Sequence, residues 1–184
     1  MNEEKNITVI SFSSRANGNC ARIARYICEK CGGAELFDFS GFEIHGCGGC
    51  GYECFAARED CPYYGDMECR MLDAIVNSSL VYFVIPNYCD YPCSNFFVFN
   101  ERSQCCFQGR PELLEAYEKV PKRSVIVSNT DEENFIKALS YHSDGAPDIL
   151  FLSSKKYGKR SLDGDLLTSE EAKADIAAFV KGEQ

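Results

Sequence analysis

With 184 residues, a formal net charge of −9, and hydrophobic and charged fractions of 45% and 26%, the chain has the make-up of an acidic globular protein. Those fractions exclude a disordered tract or a coiled coil, and the length suits one α/β domain over residues 1–184 rather than two. The negative balance argues against nucleic acid and anionic membrane as partners, because both repel such a chain at long range.

The opening Met1-Asn2-Glu3-Glu4-Lys5-Asn6 lacks the basic flank and apolar run of an export signal. No apolar stretch reaches the roughly 18 residues of a membrane span, so a cytoplasmic location is the expectation. Residues 7–12 (Ile-Thr-Val-Ile-Ser-Phe) form a β-branched run that ends in the turn-like Ser13-Ser14-Arg15-Ala16-Asn17-Gly18. From Cys20, the apolar positions Ile23, Ala24, Ile27, Cys28 and Cys31 follow helical spacing until Gly32-Gly33 stops them. Residues 34–39 predict a second strand, and 40–65 then lose periodicity and gather glycines and cysteines. Asp66 is placed to cap a helix whose apolar face is Met67, Met71, Leu72, Ile75 and Val76, with Cys69 beside it. Residues 80–85 are continuously apolar and bounded by Pro86, the pattern of a strand covered on both faces.

A helix is expected over residues 94–107 and a fourth strand over 123–128. Thr130-Asp131-Glu132-Glu133 reads as a capping box ahead of Phe135, Ile136 and Leu139. Residues 148–152 give a fifth strand, and Thr168-Ser169-Glu170-Glu171 a second capping box ahead of Ala172, Ile176, Phe179 and Val180. Apolar strands alternating with helices imply an open parallel sheet with helices on both faces. Ligands bind such sheets beyond the carboxyl ends of the strands, where the strand order reverses.

Three loops carry candidate chemistry. Residues 13–20 offer hydroxyls, amides, a glycine and an arginine at a helix N-terminus, where free N–H groups and a partial positive charge favour a phosphate. An ordinary turn with an Asn cap is the alternative, and the loop has neither GxGxxG nor a P-loop pattern. In the second loop, Cys47, Cys50, Cys54 and Cys61 follow C-x2-C-x3-C-x6-C on a glycine-rich backbone. Soft thiolates so close in sequence suit zinc, copper(I) or an iron–sulfur cluster. Three cysteines in quick succession with a fourth soon after are more like a cluster loop than the two separated pairs of a zinc site. Unliganded thiols are the remaining alternative, and for the other eight of the twelve cysteines burial as small hydrophobes is the simplest account. The third loop, Pro86-Asn87-Tyr88-Cys89-Asp90-Tyr91-Pro92-Cys93, places amides and aromatics where they can flank a planar ring; Cys89 and Cys93 are either redox groups there or helix-start packing. His45 and His142 carry no partner pattern, and Cys105-Cys106 read as core or partner-facing residues.

The first loop resembles the G-S-P-R-x-x-G-N-T loop of the flavodoxin-like NADPH-dependent FMN reductase superfamily, with Phe12 for Gly, Ser14 for Pro and Cys20 for Thr. The cysteine loop resembles the compact motif of the iron–sulfur flavoproteins within it, with the second and third gaps each about one residue longer. Ile85-Pro86-Asn87-Tyr88 is similar to the S-P-x-Y segment that packs on the flavin ring, and Glu101-Arg102 stands where these proteins commonly have Asp-Arg.

The resemblance implies a five-stranded sheet of order 2-1-3-4-5 with the cysteine-rich insert after strand two. It further implies FMN held by Ser13, Arg15, Asn17, Gly18, Asn19, Cys20, Pro86, Asn87, Tyr88, Cys89, Ser128 and Asn129. A [4Fe–4S] cluster would sit on Cys47, Cys50, Cys54 and Cys61. The implied activity is electron transfer between cluster, FMN and a partner such as ferredoxin or NAD(P)H, in a homo-oligomer. A non-catalytic binding or assembly protein with zinc or bare thiols on the same scaffold is the competing expectation.

Overall fold

Each central strand divides its β-branched and aromatic side chains between two cores. In β1 (Ile7–Ser11) Val9 faces one and Ile10 the other. β3 (Leu80–Tyr88) sends Tyr82 and Val84 to the first, Phe83 and Ile85 to the second; β5 (Lys122–Ser128) sends Val125 and Val127 to the first, Ile126 to the second. With β2 (Glu35–Asp38) and β6 (Asp148–Ser153) they form a parallel sheet in the order β2-β1-β3-β5-β6, the expected 2-1-3-4-5. This computed structural model describes residues 6–129, 139 and 148–182.

One core is closed by Ile23, Ala24 and Ile27 of α1 (Asn19–Lys30) and Ile176 and Phe179 of the last helix, α5 (Glu170–Lys181). The other is closed by Met71, Leu72 and Ile75 of α2 (Met67–Val76), Phe96 and Phe99 of α3 (Ser94–Phe107), and Tyr117 of α4 (Pro111–Lys119). Phe12, at the position where the resembled loop has glycine, is fully buried here. Its ring lies 5.2–5.5 Å from those of Phe39, Phe83 and Phe96, so the side chain is explained by packing beneath the first loop.

The structure departs from the sequence expectations in three places. β3 runs through Pro86 to Tyr88 and turns back as a short antiparallel strand, β4 (Tyr91–Pro92), where an open loop was expected. Pro86 is tolerated because at its level β3 pairs only with β5, β1 having ended opposite Val84, so one side of the strand needs no donor. Cys89 and Asp90 occupy the turn with φ of 51° and 68°, the left-handed pair of a tight hairpin. Helix α4 was not anticipated, although Pro111 marks its first turn. The cap of α5 is Ser169, whose Oγ accepts from the Ala172 amide, one residue later than the expected Thr168. The capping box at Thr130 lies outside the described residues, Leu139 alone excepted, which is buried in the α2–α4 core. Among the described residues no helix is long and apolar enough to cross a membrane.

Candidate functional site

The carboxyl ends of β1, β3, β5 and β6 open into a crevice lined by Ser13, Arg15, Gly18, Asn19 and Cys20 on one side and by Pro86, Asn87 and Tyr88 on the other. Helix α1 starts there with Gly18 as its cap residue and, among the described residues, no side-chain cap on its first turn; Gly18, Asn19 and Cys20 are all buried. A buried, uncapped first turn concentrates unpaired N–H donors and the positive end of the helix dipole. Ser13 is buried and its Oγ accepts from the Arg15 amide at 3.3 Å. Burial, followed by the neighbouring Cys93 and Asp38 charges, pushes the Cys20 thiol far up, so it stays protonated.

On the opposite wall, the Asn87 Nδ2 donates to Ser128 Oγ at 2.9 Å, while the Asn87 Oδ1 is buried without a partner among the described residues. Tyr88 and Tyr91 stand half exposed or more at the mouth. Cys89 lies exposed on the hairpin turn, whereas Cys93 is buried and donates to the Phe12 carbonyl at 3.2 Å, which makes Cys93 a packing residue. Asn17 is exposed, and its carbonyl accepts from Arg22 Nε.

A strap that sequence reasoning did not anticipate, residues 154–165 after β6, lies across this crevice. Arg15 Nη2 donates to the Leu162 carbonyl at 2.8 Å, and Asn19 Nδ2 to the Ser161 carbonyl at 3.0 Å. The Ser161 amide donates to Asn129 Oδ1 at 3.0 Å, and the Leu166 amide to Asn19 Oδ1 at 2.9 Å. Thus Arg15, Asn19 and Asn129 anchor the strap, which narrows the crevice to a cavity of about 30 Å³. The strap passes so close at Gly164, where φ is +72°, that a Cβ there would lie 2.8 Å from the Asn17 carbonyl. Gly164→Ala is therefore expected to lose about 1–2 kcal/mol in urea unfolding and to hasten tryptic cleavage at Lys155, Lys159 and Arg160. Unchanged cleavage would mean that the strap does not depend on this close approach.

The cysteine loop sits on the other side of the sheet, against α3. Gly48 and Gly49 (φ 150° and 70°) make the turn between Cys47 and Cys50, a conformation that a side chain rarely adopts. Two short 3-10 turns, Glu53–Phe55 and Arg58–Asp60, carry the backbone from Cys54 to Cys61. Arg102 of α3, almost wholly buried, gathers this region: it donates to Asp66 at 2.8 Å, to the His45 carbonyl at 2.9 Å and to the Tyr63 carbonyl at 3.4 Å, and its Nη2 lies 3.9 Å from Cys61 Sγ. Burial alone would raise the Asp66 carboxyl, but Arg102 and the His45 and Glu68 amides outweigh it and hold it below the ordinary range. Glu101 Oε2 accepts from the Cys47 amide, and Arg110 donates to the Cys54 carbonyl at 2.9 Å.

Cys54 is buried; its thiol is pushed up by that burial and then by the nearby Cys61, Cys50 and Cys47. Their sulfurs are not drawn to single-ion distances, however. Among the described residues, the one group of three or more histidine, cysteine or acidic ligand atoms lying within 4.8 Å of one another is Glu68, Cys69 and Cys106. α3 carries two further cysteines: Cys105, whose Sγ is 3.2 Å from Cys47 Sγ, and Cys106, which faces α2. Neighbours on a helix point about 100° apart, so this pair reaches two different places. Burial, and then the hydrogen bond with Cys47, pushes the Cys105 thiol up to about 12. The adjacency of Cys105 and Cys106 was visible in the sequence, but their destinations depend on contacts more than thirty residues away.

The layered sheet order and the crevice at its carboxyl edge define a flavodoxin-like fold. No family model and no curated protein matches the sequence. Solved structures do match the fold. The Trp repressor binding protein from Bacillus subtilis aligns with a TM-score of 0.65 at 13% identity, covering 95% of this chain and 97% of that one. Smu.1420 from Streptococcus mutans UA159 aligns at 0.60 and 13%, covering 96% and 99%. FerB, a flavoenzyme NAD(P)H:(acceptor) oxidoreductase from Paracoccus denitrificans, aligns at 0.57 and 13%, covering 96% of each chain.

Proposed function

We propose that this chain is an FMN-binding redox protein of the iron–sulfur flavoprotein type, an oxidoreductase or electron-transfer protein. The observation that carries this reading is the buried, uncapped start of α1 sharing one crevice with Arg15 and with the unpaired Asn87 Oδ1. The α1 amides and Arg15 suit a phosphate, and Asn87 Oδ1 suits an N–H or hydroxyl donor of the same ligand. Arg15 uses one of its five N–H groups on Leu162, which leaves others for an anion. Tyr88, exposed at the rim, would flank a ring, and Ser128 would hold the Asn87 amide in place.

A bound flavin would supply the electron and hydride chemistry, and the chain's part is to position it and tune its surroundings. No side-chain acid is required. FerB, as an NAD(P)H:(acceptor) oxidoreductase, suggests NAD(P)H as a donor class, with ferredoxin the alternative. On this reading a [4Fe–4S] cluster would be held by Cys47, Cys50, Cys54 and Cys61. The Arg102 guanidinium beside Cys61 would stabilise the cluster's negative charge. A homo-oligomer in the cytoplasm completes the proposal.

Protein purified without oxygen is expected to show the two visible flavin bands over a broad cluster absorption. Anaerobic addition of NADH, NADPH or reduced ferredoxin then identifies the donor. Arg15→Ala should weaken FMN binding by about 1.5–3 kcal/mol, roughly ten- to a hundredfold in Kd, and an unchanged Kd would remove Arg15 from the site. The hold of the strap on Arg15 and Asn19 favours a second reading, a binding or assembly protein with an unused crevice. A colourless protein that takes up no FMN would establish it.

A further inference from the structure

We infer that Glu68, Cys69 and Cys106 hold a zinc ion between α2 and α3, at a site separate from both the crevice and the four-cysteine loop. All three residues are buried, and their ligand atoms lie within 4.8 Å of one another. A tetrahedral zinc with ordinary bond lengths needs about 3.8 Å between two sulfurs and about 3.6 Å between sulfur and oxygen. Cys106 Sγ and Glu68 Oε2 are 3.2 Å apart, a few tenths from that requirement. Two thiolates with one carboxylate are a donor set that selects zinc over magnesium or calcium, with a water in the fourth position.

The Ser103 hydroxyl, whose shorter contact at 2.7 Å goes to the Phe99 carbonyl, lies 3.4 Å from one Glu68 oxygen, Oε1, while Oε2 is turned towards Cys106. Glu68 is fully buried, and the nearest cation, Arg102, stands 3.9 Å away with its closer contact at 2.8 Å given to Asp66. A carboxylate in that position is short of positive charge, and burial without compensation is expensive. A divalent ion with two thiolates and one carboxylate has a net charge of −1. Arg102, and Arg58 with its 2.7 Å bond to the Cys69 carbonyl, lie close enough to balance it. The ion would fasten α2, whose cap is Asp66, to α3, which supplies Arg102 to the cysteine loop.

The test uses the full chain with Cys47, Cys50, Cys54, Cys61 and Cys105 all replaced by serine, so that no loop thiol can bind metal. The variant should retain about one zinc per chain after gel filtration. With cobalt in place of zinc it should show the intense visible bands of tetrahedral thiolate-bound cobalt. Adding Cys106→Ser should abolish those bands, and adding Glu68→Gln should weaken cobalt binding at least tenfold. A variant that unfolds cooperatively yet binds no metal overturns the assignment, as does cobalt binding unaffected by Cys106→Ser. Should five substitutions prevent folding, the unmutated chain decides the matter by alkylation in mild denaturant, mapped by mass spectrometry. Zinc should slow modification of Cys69 and Cys106 at least tenfold relative to chelator-treated protein, and equal rates overturn the site.

Discussion

Arg102→Ala is expected to lower the stability of the fold by about 3–5 kcal/mol, a large share of the roughly 5–15 kcal/mol that holds a typical domain together. Arg102 is 2% exposed, and its guanidinium faces two buried carboxyl groups, Asp66 at 2.8 Å and Glu68 at 3.9 Å. Removing it strands both charges and leaves the His45 carbonyl without its 2.9 Å donor. It also takes away the cation that lies 5.5 Å from the Tyr63 ring, a ring stacked in turn on His45. Arg102→Lys keeps the charge but loses the planar fork that reaches Asp66 and both carbonyls, so an intermediate loss is expected. Urea unfolding followed by circular dichroism measures both. A loss below about 1 kcal/mol for the alanine variant would mean that the loop and α2 are held by something else.

Cys50→Ala should reduce iron from about four atoms per chain to background while FMN remains bound. The separation is physical: the crevice and the cysteine loop are built on different segments, with Arg15 and the start of α1 lining the one and the thiol loop tied to Glu101 of α3 and to Arg110 in the other. Iron and flavin analysis of one anaerobic preparation reads both outcomes. Full iron in Cys50→Ala would show that the four-cysteine assignment is wrong. Cys105→Ala is the informative companion, because its thiol touches Cys47 without belonging to the loop. It should keep its iron. Loss of iron there, with iron retained in Cys61→Ala, would exchange the two residues in the ligand set.

The sheet was legible because its information is local. Val9 and Ile10, or Val125 and Ile126, each need a different core, and continuous apolar runs between helical repeats allow little but a parallel sheet with two covered faces. Asp66 as a cap followed from the same kind of signal, and its Oδ1 accepts from the Glu68 amide at 3.0 Å. Pro86 misled because a proline stops a ladder only where a neighbour asks for its missing donor, and the length of β1 decides that. The strap was illegible for another reason. Ser161, Leu162 and Gly164 have ordinary loop composition, and their meaning comes from Arg15, Asn19 and Asn17, well over a hundred residues earlier. Cys105 and Cys106 likewise gain their significance from Cys47 and Glu68, which no helical period relates to them.

Three of the four basic side chains of residues 154–165 are paired with carboxylates, Lys156 with Asp175, Lys159 with Asp165 and Arg160 with Asp163, and the basic group that lines the crevice itself is Arg15. In a molecule of net charge −9 the long-range field repels anions. At physiological salt that field fades over about 8 Å, and inside this distance an approaching anion responds to the nearest charges alone. At the crevice the nearest such charge is Arg15, so an anion gains electrostatic pull there only after it has come close.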